Sequence, residues 1–217
     1  MKTAKPARPP GRPKDPERVR QRKEEILLAS AVVFARRGYD AADLEEVADA
    51  VGVSKAALYY YFTNKKSLFL ATVDHGMRRL KEAVHSRESL IDDPLERIKD
   101  AIRTYLRFFR DHPQYVELMI QERAAFRDRK TSTYFEHRDA NIQRWRDLLA
   151  GLIRDRRIRN YPVDRLLDVL SNQVYGAMFT AHFTGSHRSP EESAADIIDI
   201  VVGGMLTPSE RRKTSGH

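Results

Sequence analysis

The chain is 217 residues long, with a formal net charge of +8, 32% charged residues and no cysteine. That length allows one or two domains around a sizeable core, and the lack of thiols excludes disulfides and thiolate metal sites and suits a reducing cytoplasm. No apolar run reaches the roughly 18 residues needed to span a membrane, and no apolar stretch follows the basic N-terminus to make it a secretory signal.

Residues 1–15 read as a disordered basic arm rich in Pro, Lys and Arg. Residues 1–23 hold nine Lys/Arg against Asp15 and Glu17, which is +7 of the +8 total. Excess charge confined to one end points at nucleic-acid phosphates. Arg12 is placed either to enter a narrow A·T minor groove or to add only non-specific affinity from a solvated tail.

Helix 1 is expected over Pro16–Arg37, with Ile26, Ala29, Ser30, Val33 and Phe34 inward and Gly38 at its C-cap. Asp43 caps helix 2, whose Leu44, Val47, Ala48 and Val51 recur at i, i+3, i+4 and i+7. Gly52 makes the left-handed turn. Ser54 caps helix 3, with Val53, Leu58 and Phe62 inward and Lys55, Ala56, Tyr59 and Tyr60 outward. A small residue at the crossing, a glycine at the bend and an apolar pin beneath the second helix describe a helix-turn-helix. Its domain is expected to span residues 16–66.

The run GVSKAALYYYFTNKKSLF (Gly52 to Phe69) resembles the DNA-binding domain of TetR-family transcriptional regulators, with a looser likeness over about residues 22–75. Beyond that the likeness is one of size and helical layout. The resemblance implies an all-α chain of about nine helices: a three-helix DNA-binding head, then a C-terminal helical domain for ligand binding and dimerisation. It also implies a double-stranded DNA operator, a small-molecule effector, and Tyr59 and Lys65 as phosphate contacts.

Asn64 is placed to cap helix 4, the connector over about residues 67–87, with Leu68, Thr72, Gly76 and Leu80 inward. The second domain is expected over residues 88–209, with a flexible tail at 210–217. Asp93-Pro94 opens helix 5, with Leu95, Ile98, Ile102, Tyr105 and Phe109 buried, and His112-Pro113 ends it. Helix 6 carries Tyr115, Leu118, Met119, Glu122 and Phe126 on one side. Helix 7 spans about Ser132 to Arg157, with Ile142, Trp145, Leu149 and Leu152 inward. Pro162 restarts the chain into helix 8, and Ser189-Pro190-Glu191-Glu192 is a capping box that opens helix 9.

Apolar residues cover roughly two-thirds of the circumference of helix 9, where a surface helix needs a ~100° stripe. Helix 8 is similar. Leu170, Val174, Ala177, Ile197, Ile200, Val201 and Gly204 are therefore the candidate homodimer face of a two-fold four-helix interface, against the alternative of an intramolecular core.

On the DNA side, Lys55 can reach a guanine edge or a phosphate, and Tyr59 and Tyr60 suit phosphates along the groove. Lys65 lies in the first turn of helix 4, where free N–H groups attract an anion. Two departures from the family pattern matter. Ala56-Ala57 replaces a hydroxyl-bearing pair, leaving methyl groups for a thymine. Asp43-Leu44-Glu45 puts acids where Thr or Ser often touches phosphate. Glu45 is either a hydrogen-bond acceptor for cytosine or a solvated acid, and Ser54 joins the DNA-facing set as the cap of helix 3.

The effector pocket implied by the resemblance would draw on Tyr105, Phe108, Met119, Glu122, Phe126, Trp145, Tyr175, Met178, Phe179 and His182, which equally describe a helical core. No phosphate loop, metal-ligand spacing or nucleophile elbow appears, so neither a cofactor nor a metal is expected. An enzyme and a sequence-indifferent DNA-packaging protein are the rival classes.

Overall fold

A computed structural model describes residues 15–88, 90–185 and 188–214. Among these residues the chain is helical throughout, with no strand beyond a single bridge between Ile158 and Leu206. The helices are α1 (Pro16–Arg37), α2 (Leu44–Ala50), α3 (Lys55–Tyr61), α4 (Lys65–Glu88), α5 (Pro94–Asp111), α6 (Pro113–Ala125), α7 (Thr133–Arg154), α8 (Val163–Thr184) and α9 (Pro190–Asp196). A π-helical turn over Ile197–Val202 carries α9 into α10 (Gly203–Met205), and α11 (Pro208–Thr214) follows.

Local chemistry sets these boundaries. Asp15, Asp43 and Asp93 each accept a hydrogen bond from the backbone N–H two residues on, and Ser54 accepts one from Ala57. Asn64 caps α4 by accepting from Ser67 N–H at 2.8 Å. Ser189 and Glu192 form the reciprocal capping box of α9. Each such cap satisfies backbone donors that the first helical turn would otherwise leave orphaned.

The N-terminal head closes over Ile26, Phe34, Val47, Ala48, Leu58 and Leu68, all at most 1% exposed. Gly52 sits at φ +65°, a conformation that L side chains rarely adopt, so the bend between α2 and α3 requires it. Arg22 on α1 donates to Val51 O at 3.1 Å and holds that bend from outside. Arg36 and Arg37 both pair with Glu46, fixing α2 against the end of α1.

The helix α4 belongs to both halves of the molecule. Its Phe69 packs edge-on to Phe34 at 5.0 Å, and its Gly76 lies under Tyr115 of α6 so closely that a Cβ there would overlap three ring atoms. The α6 helix in turn touches α1, where Gln121 donates to Phe34 O at 2.9 Å. Phe126, just past the end of α6, packs against Tyr39 and Phe69 at 4.8 and 5.7 Å. The head is therefore clamped between α4 and α6 of the second domain.

Two sequence expectations need correction. The segment 210–214, expected to be a flexible tail, is the body of α11. Glu210 is 5% exposed and accepts from Arg157 at 2.6 Å, and Arg157 also pairs with Asp93 at 2.6 Å. Two carboxylates converge on one guanidinium and pin the C-terminal helix to the start of α5. The ninth helix is also not a plain α-helix, since its Ile-rich segment is wound as a π turn. No helix of the described residues is long and apolar enough to cross a membrane.

Candidate DNA-binding face and ligand cavity

The seven-residue α3 buries Leu58 beneath it and turns Tyr59 and Tyr60 outward, 47% and 62% exposed. Ala56 is exposed and Ala57 half-buried, so methyl groups occupy the middle of the face. Lys55 extends from the first turn, but its Nζ is held 2.8 Å from Asp43 Oδ1 and 3.9 Å from Glu45. The bond to Asp43 raises the Lys55 pKa, and the bonds from Glu45 N–H and Lys55 lower that of Asp43. The two acids of α2 thus gather the leading cation of α3.

Lys65 lies beside this face. Its Nζ donates to Asp40 O at 2.8 Å and sits 5.2 Å over the ring of Tyr39. Tyr61 stands edge-on to Tyr60 at 5.2 Å and packs partly against the core, and Phe62 is 7% exposed. The structure brings Glu45, Ser54, Lys55, Ala56, Ala57, Tyr59, Tyr60 and Lys65 to one end of the molecule; Arg12 lies outside the described residues.

A cavity of about 210 Å³ opens among α4, α5, α7 and α8. Buried Met77, Ile98, Ile102, Leu149 and Leu167 form its apolar walls, and Lys81, His85, Arg138 and Asn141 also line it. Tyr105 and Tyr134 meet inside with their hydroxyl oxygens 2.9 Å apart, and Tyr105 also donates to Met178 Sδ at 3.7 Å. Burial pushes both phenols up, Tyr134 to about 12. His137 on α7 reaches Asp74 on α4 at 2.7 Å, tying the cavity's two long walls together.

Of the ten residues expected to line a pocket, Tyr105 and Trp145 line this cavity. Phe108 stacks on Tyr115 in the core, and Met119 is 6% exposed. Glu122 is a buried staple, accepting from Arg129 at 2.8 Å and from Thr133 N–H at 3.0 Å. Phe126 faces the head. Met178 and His182 border a second depression between α5, α6, α8 and α9, where His182 lies 3.5 Å from Glu117. Tyr175 and Phe179 belong to an aromatic ladder from Tyr134 to Phe183 along α8.

Leu170 and Val174, expected at a subunit interface, line the cavity, on an α8 that packs against α5 and α7. Of the other residues expected there, Ala177 borders the second depression and Ile197 is 7% exposed. Val201 is half-buried, whereas Ile200 is 72% exposed and Gly204 opens onto empty space. The cavity residues that sequence reasoning missed include Met77, Leu80, Lys81, Val84 and His85, spaced i, i+3, i+4, i+7 and i+8 on α4. That helical stripe is present in the sequence, where Leu80 is expected on the inward face of helix 4, but its spacing does not separate cavity lining from core.

A helix-turn-helix head carried on an all-helical body with an apolar cavity defines the class of one-component bacterial transcription regulators. Residues 26–72 match the family described as bacterial regulatory proteins, tetR family, and residues 91–174 match the tetracyclin repressor-like C-terminal domain. The chain belongs to the TetR family.

Among curated proteins it is 32% identical over 101 residues to the HTH-type transcriptional activator FasR of Mycolicibacterium smegmatis, covering 46% of each chain. It is 36% identical over 111 residues to the HTH-type transcriptional regulator RutR of Escherichia coli K12, covering 49% of this chain and 50% of RutR. The matched region thus spans about half the length of these relatives. Among solved structures, FadR of Bacillus subtilis in complex with stearoyl-CoA superposes with a TM-score of 0.72 at 14% identity, over 84% of this chain and 98% of that one. The ketosteroid regulator KstR2 of Mycobacterium tuberculosis superposes at 0.63 and 20% identity, over 92% and 100%. At such identities these two establish a shared fold.

Proposed function

We propose that the chain is a sequence-specific DNA-binding regulator of transcription that works as a homodimer and is released from a palindromic operator by a small, largely apolar effector. The observation that carries this reading is the double membership of α4. Its first turn presents Lys65 beside α3, and its Met77, Leu80, Val84 and His85 wall the cavity. A ligand that shifts α4 therefore moves the head, and reciprocity requires DNA to weaken that ligand by the same factor. FadR in complex with stearoyl-CoA supports the idea of a largely apolar effector for this fold.

The dimer would form on the outward faces of α8 and of the π turn. Val169, Phe183 and Ile200 are 42%, 67% and 72% exposed there. At Gly176 and at Gly204 an added Cβ would meet open space, which leaves room for a close crossing. Two α3 helices about 34–36 Å apart would then read successive major grooves.

Selecting bound sites from a random DNA pool tests this reading. The expected product is an inverted repeat bound by a dimer, with log K falling by ~0.9 per neutralised phosphate per decade of salt. Uniform binding to every duplex would instead favour a packaging protein. FasR is named an activator, so in vitro transcription from the selected site, with the repressor outcome expected, sets the sign.

A further inference from the structure

The chemistry of the cavity defines its ligand more narrowly, on the premise that the cavity is the effector site. Its twenty lining residues include Lys81, His85, His137 and Arg138 and no Asp or Glu. Lys81 is the exposed member of that lining, so it stands at the mouth. A third, outer depression shares Lys81, His85 and Asn141 with the cavity and adds Arg78 and Arg144 against Glu82. Arg78 is already bonded to Asp74 at 2.9 Å, and Arg138 to Asp139. No carboxylate of the described residues lies within ion-pair distance of Lys81.

The interior is the opposite. The Tyr105 and Tyr134 hydroxyls bond each other at 2.9 Å and Tyr105 also reaches Met178 Sδ, so the two phenols largely satisfy each other within the wall. The Asn141 amide donates to His137 O at 2.7 Å, and His137 Nε2 is engaged by Asp74. A ligand rich in polar groups would find few partners here, whereas a hydrocarbon tail leaves no group unsatisfied. At the mouth, His85 Nδ1 donates to Lys81 O at 2.9 Å, which leaves Nε2 as the atom free to meet a ligand. Burial, followed by the charge of Arg144, holds the His85 pKa below its ordinary value; the cations Lys81, Arg138 and Arg144 around it, with no carboxylate in the cavity lining, suit an anion.

We propose that this cavity takes an anionic amphiphile, its hydrocarbon tail between α5, α7 and α8 and its acidic head held at the mouth by Lys81, with His85 and Arg138 beside it. The head is either a carboxylate, as in a free fatty acid, or the phosphates of an acyl thioester of coenzyme A.

Trp145 is the only tryptophan of the chain and lines the cavity, so its fluorescence reports occupancy. Titration of the full chain with palmitate, palmitoyl-CoA, 1-hexadecanol and coenzyme A, all below micellar concentrations, separates tail from head. At least one of the two anionic lipids should bind about tenfold or more tighter than hexadecanol, the range of a charged hydrogen bond. Coenzyme A alone should bind weakly. Lys81→Gln should bring that ratio towards one with hexadecanol affinity unchanged, and Lys81→Arg should retain it. Preference for palmitate identifies a carboxylate head, and preference for palmitoyl-CoA identifies phosphates. Equal binding of alcohol and anions, no binding by any probe, or an unchanged ratio in Lys81→Gln would overturn the proposal. DNA release, measured separately on the selected operator, keeps the two readings apart. Tight anion binding without any change in DNA affinity defeats the effector role and spares the head-group assignment, whereas release by hexadecanol as strongly as by the anions does the reverse.

Discussion

Asp43 does two jobs in one position: its Oδ1 accepts the Glu45 N–H that caps α2 and also holds Lys55 Nζ at 2.8 Å. The lysine at the leading end of α3 is therefore partly neutralised before any DNA arrives. Replacing Asp43 by Asn keeps a capping oxygen but removes the charge that both restrains Lys55 and repels phosphate. Asp43→Asn should bind the selected operator more tightly, with a steeper dependence on salt, by about one counterion's worth. Lys55→Ala should weaken binding about tenfold or more, and a fluorescence-anisotropy titration at two salt concentrations would read both effects.

Gly76 is fixed by Tyr115 rather than by its own backbone. Gly76→Ala should lose about 1–3 kcal/mol, the range for overpacking a filled core, despite the better helix propensity of alanine. Combining it with Tyr115→Leu should recover part of that loss in denaturant melts. An unaltered midpoint in Gly76→Ala would mean that α4 and α6 are free to separate.

Three histidines share one physical situation. Burial is the main cause holding His75, His85 and His112 below their ordinary pKa. Once unfolded, each takes up a proton near about pH 6.5, whereas the folded chain resists it until lower pH. Unfolding therefore binds protons, and stability is present above that value and declines as pH falls through it. His75 has the most consequence, lying between Glu24 of α1 and Tyr115 of α6, with Arg78, Arg79 and Glu82 near it on α4. Thermal melts from pH 8 to pH 5 should show the melting temperature dropping by about a few degrees, with a shallower slope in His75→Gln.

The Glu122 staple gives a fourth expectation. Its carboxylate is 1% exposed, and it holds Arg129 together with the backbone and hydroxyl of Thr133 at the start of α7. Glu122→Ala leaves a partly buried guanidinium with Glu136 as its remaining carboxylate and a buried N–H without its acceptor, so urea unfolding should show a loss of about 3 kcal/mol. Glu122→Gln, which retains an acceptor for Thr133, should cost less.

The contrast between caps and cavity explains what the sequence made legible. Asp15, Asp43, Ser54, Asn64, Asp93 and Ser189 act on backbone groups two or three residues away, so the helix starts they mark can be read locally. Leu58 and Gly52 likewise betray the bend by their spacing. A cavity leaves no such trace. Leu170 and Phe126 look alike as apolar residues on helical stripes, yet one faces the empty space beside α4 and the other the DNA-binding head. The α11 helix is hidden for a different reason: its anchor, Arg157, lies 53 residues earlier than Glu210.

Phe126 has a role beyond filling space. It touches Tyr39, whose ring underlies Lys65, and its own ring underlies Lys66 at 4.9 Å. The two cations at the threshold of α4 thus rest on aromatic plates, one supplied by each half of the molecule. A slight slide of α6 would tilt those plates and re-aim both ammonium groups, even with the recognition helix itself undisturbed. The grip on the DNA backbone and the reading of its bases could then be adjusted independently.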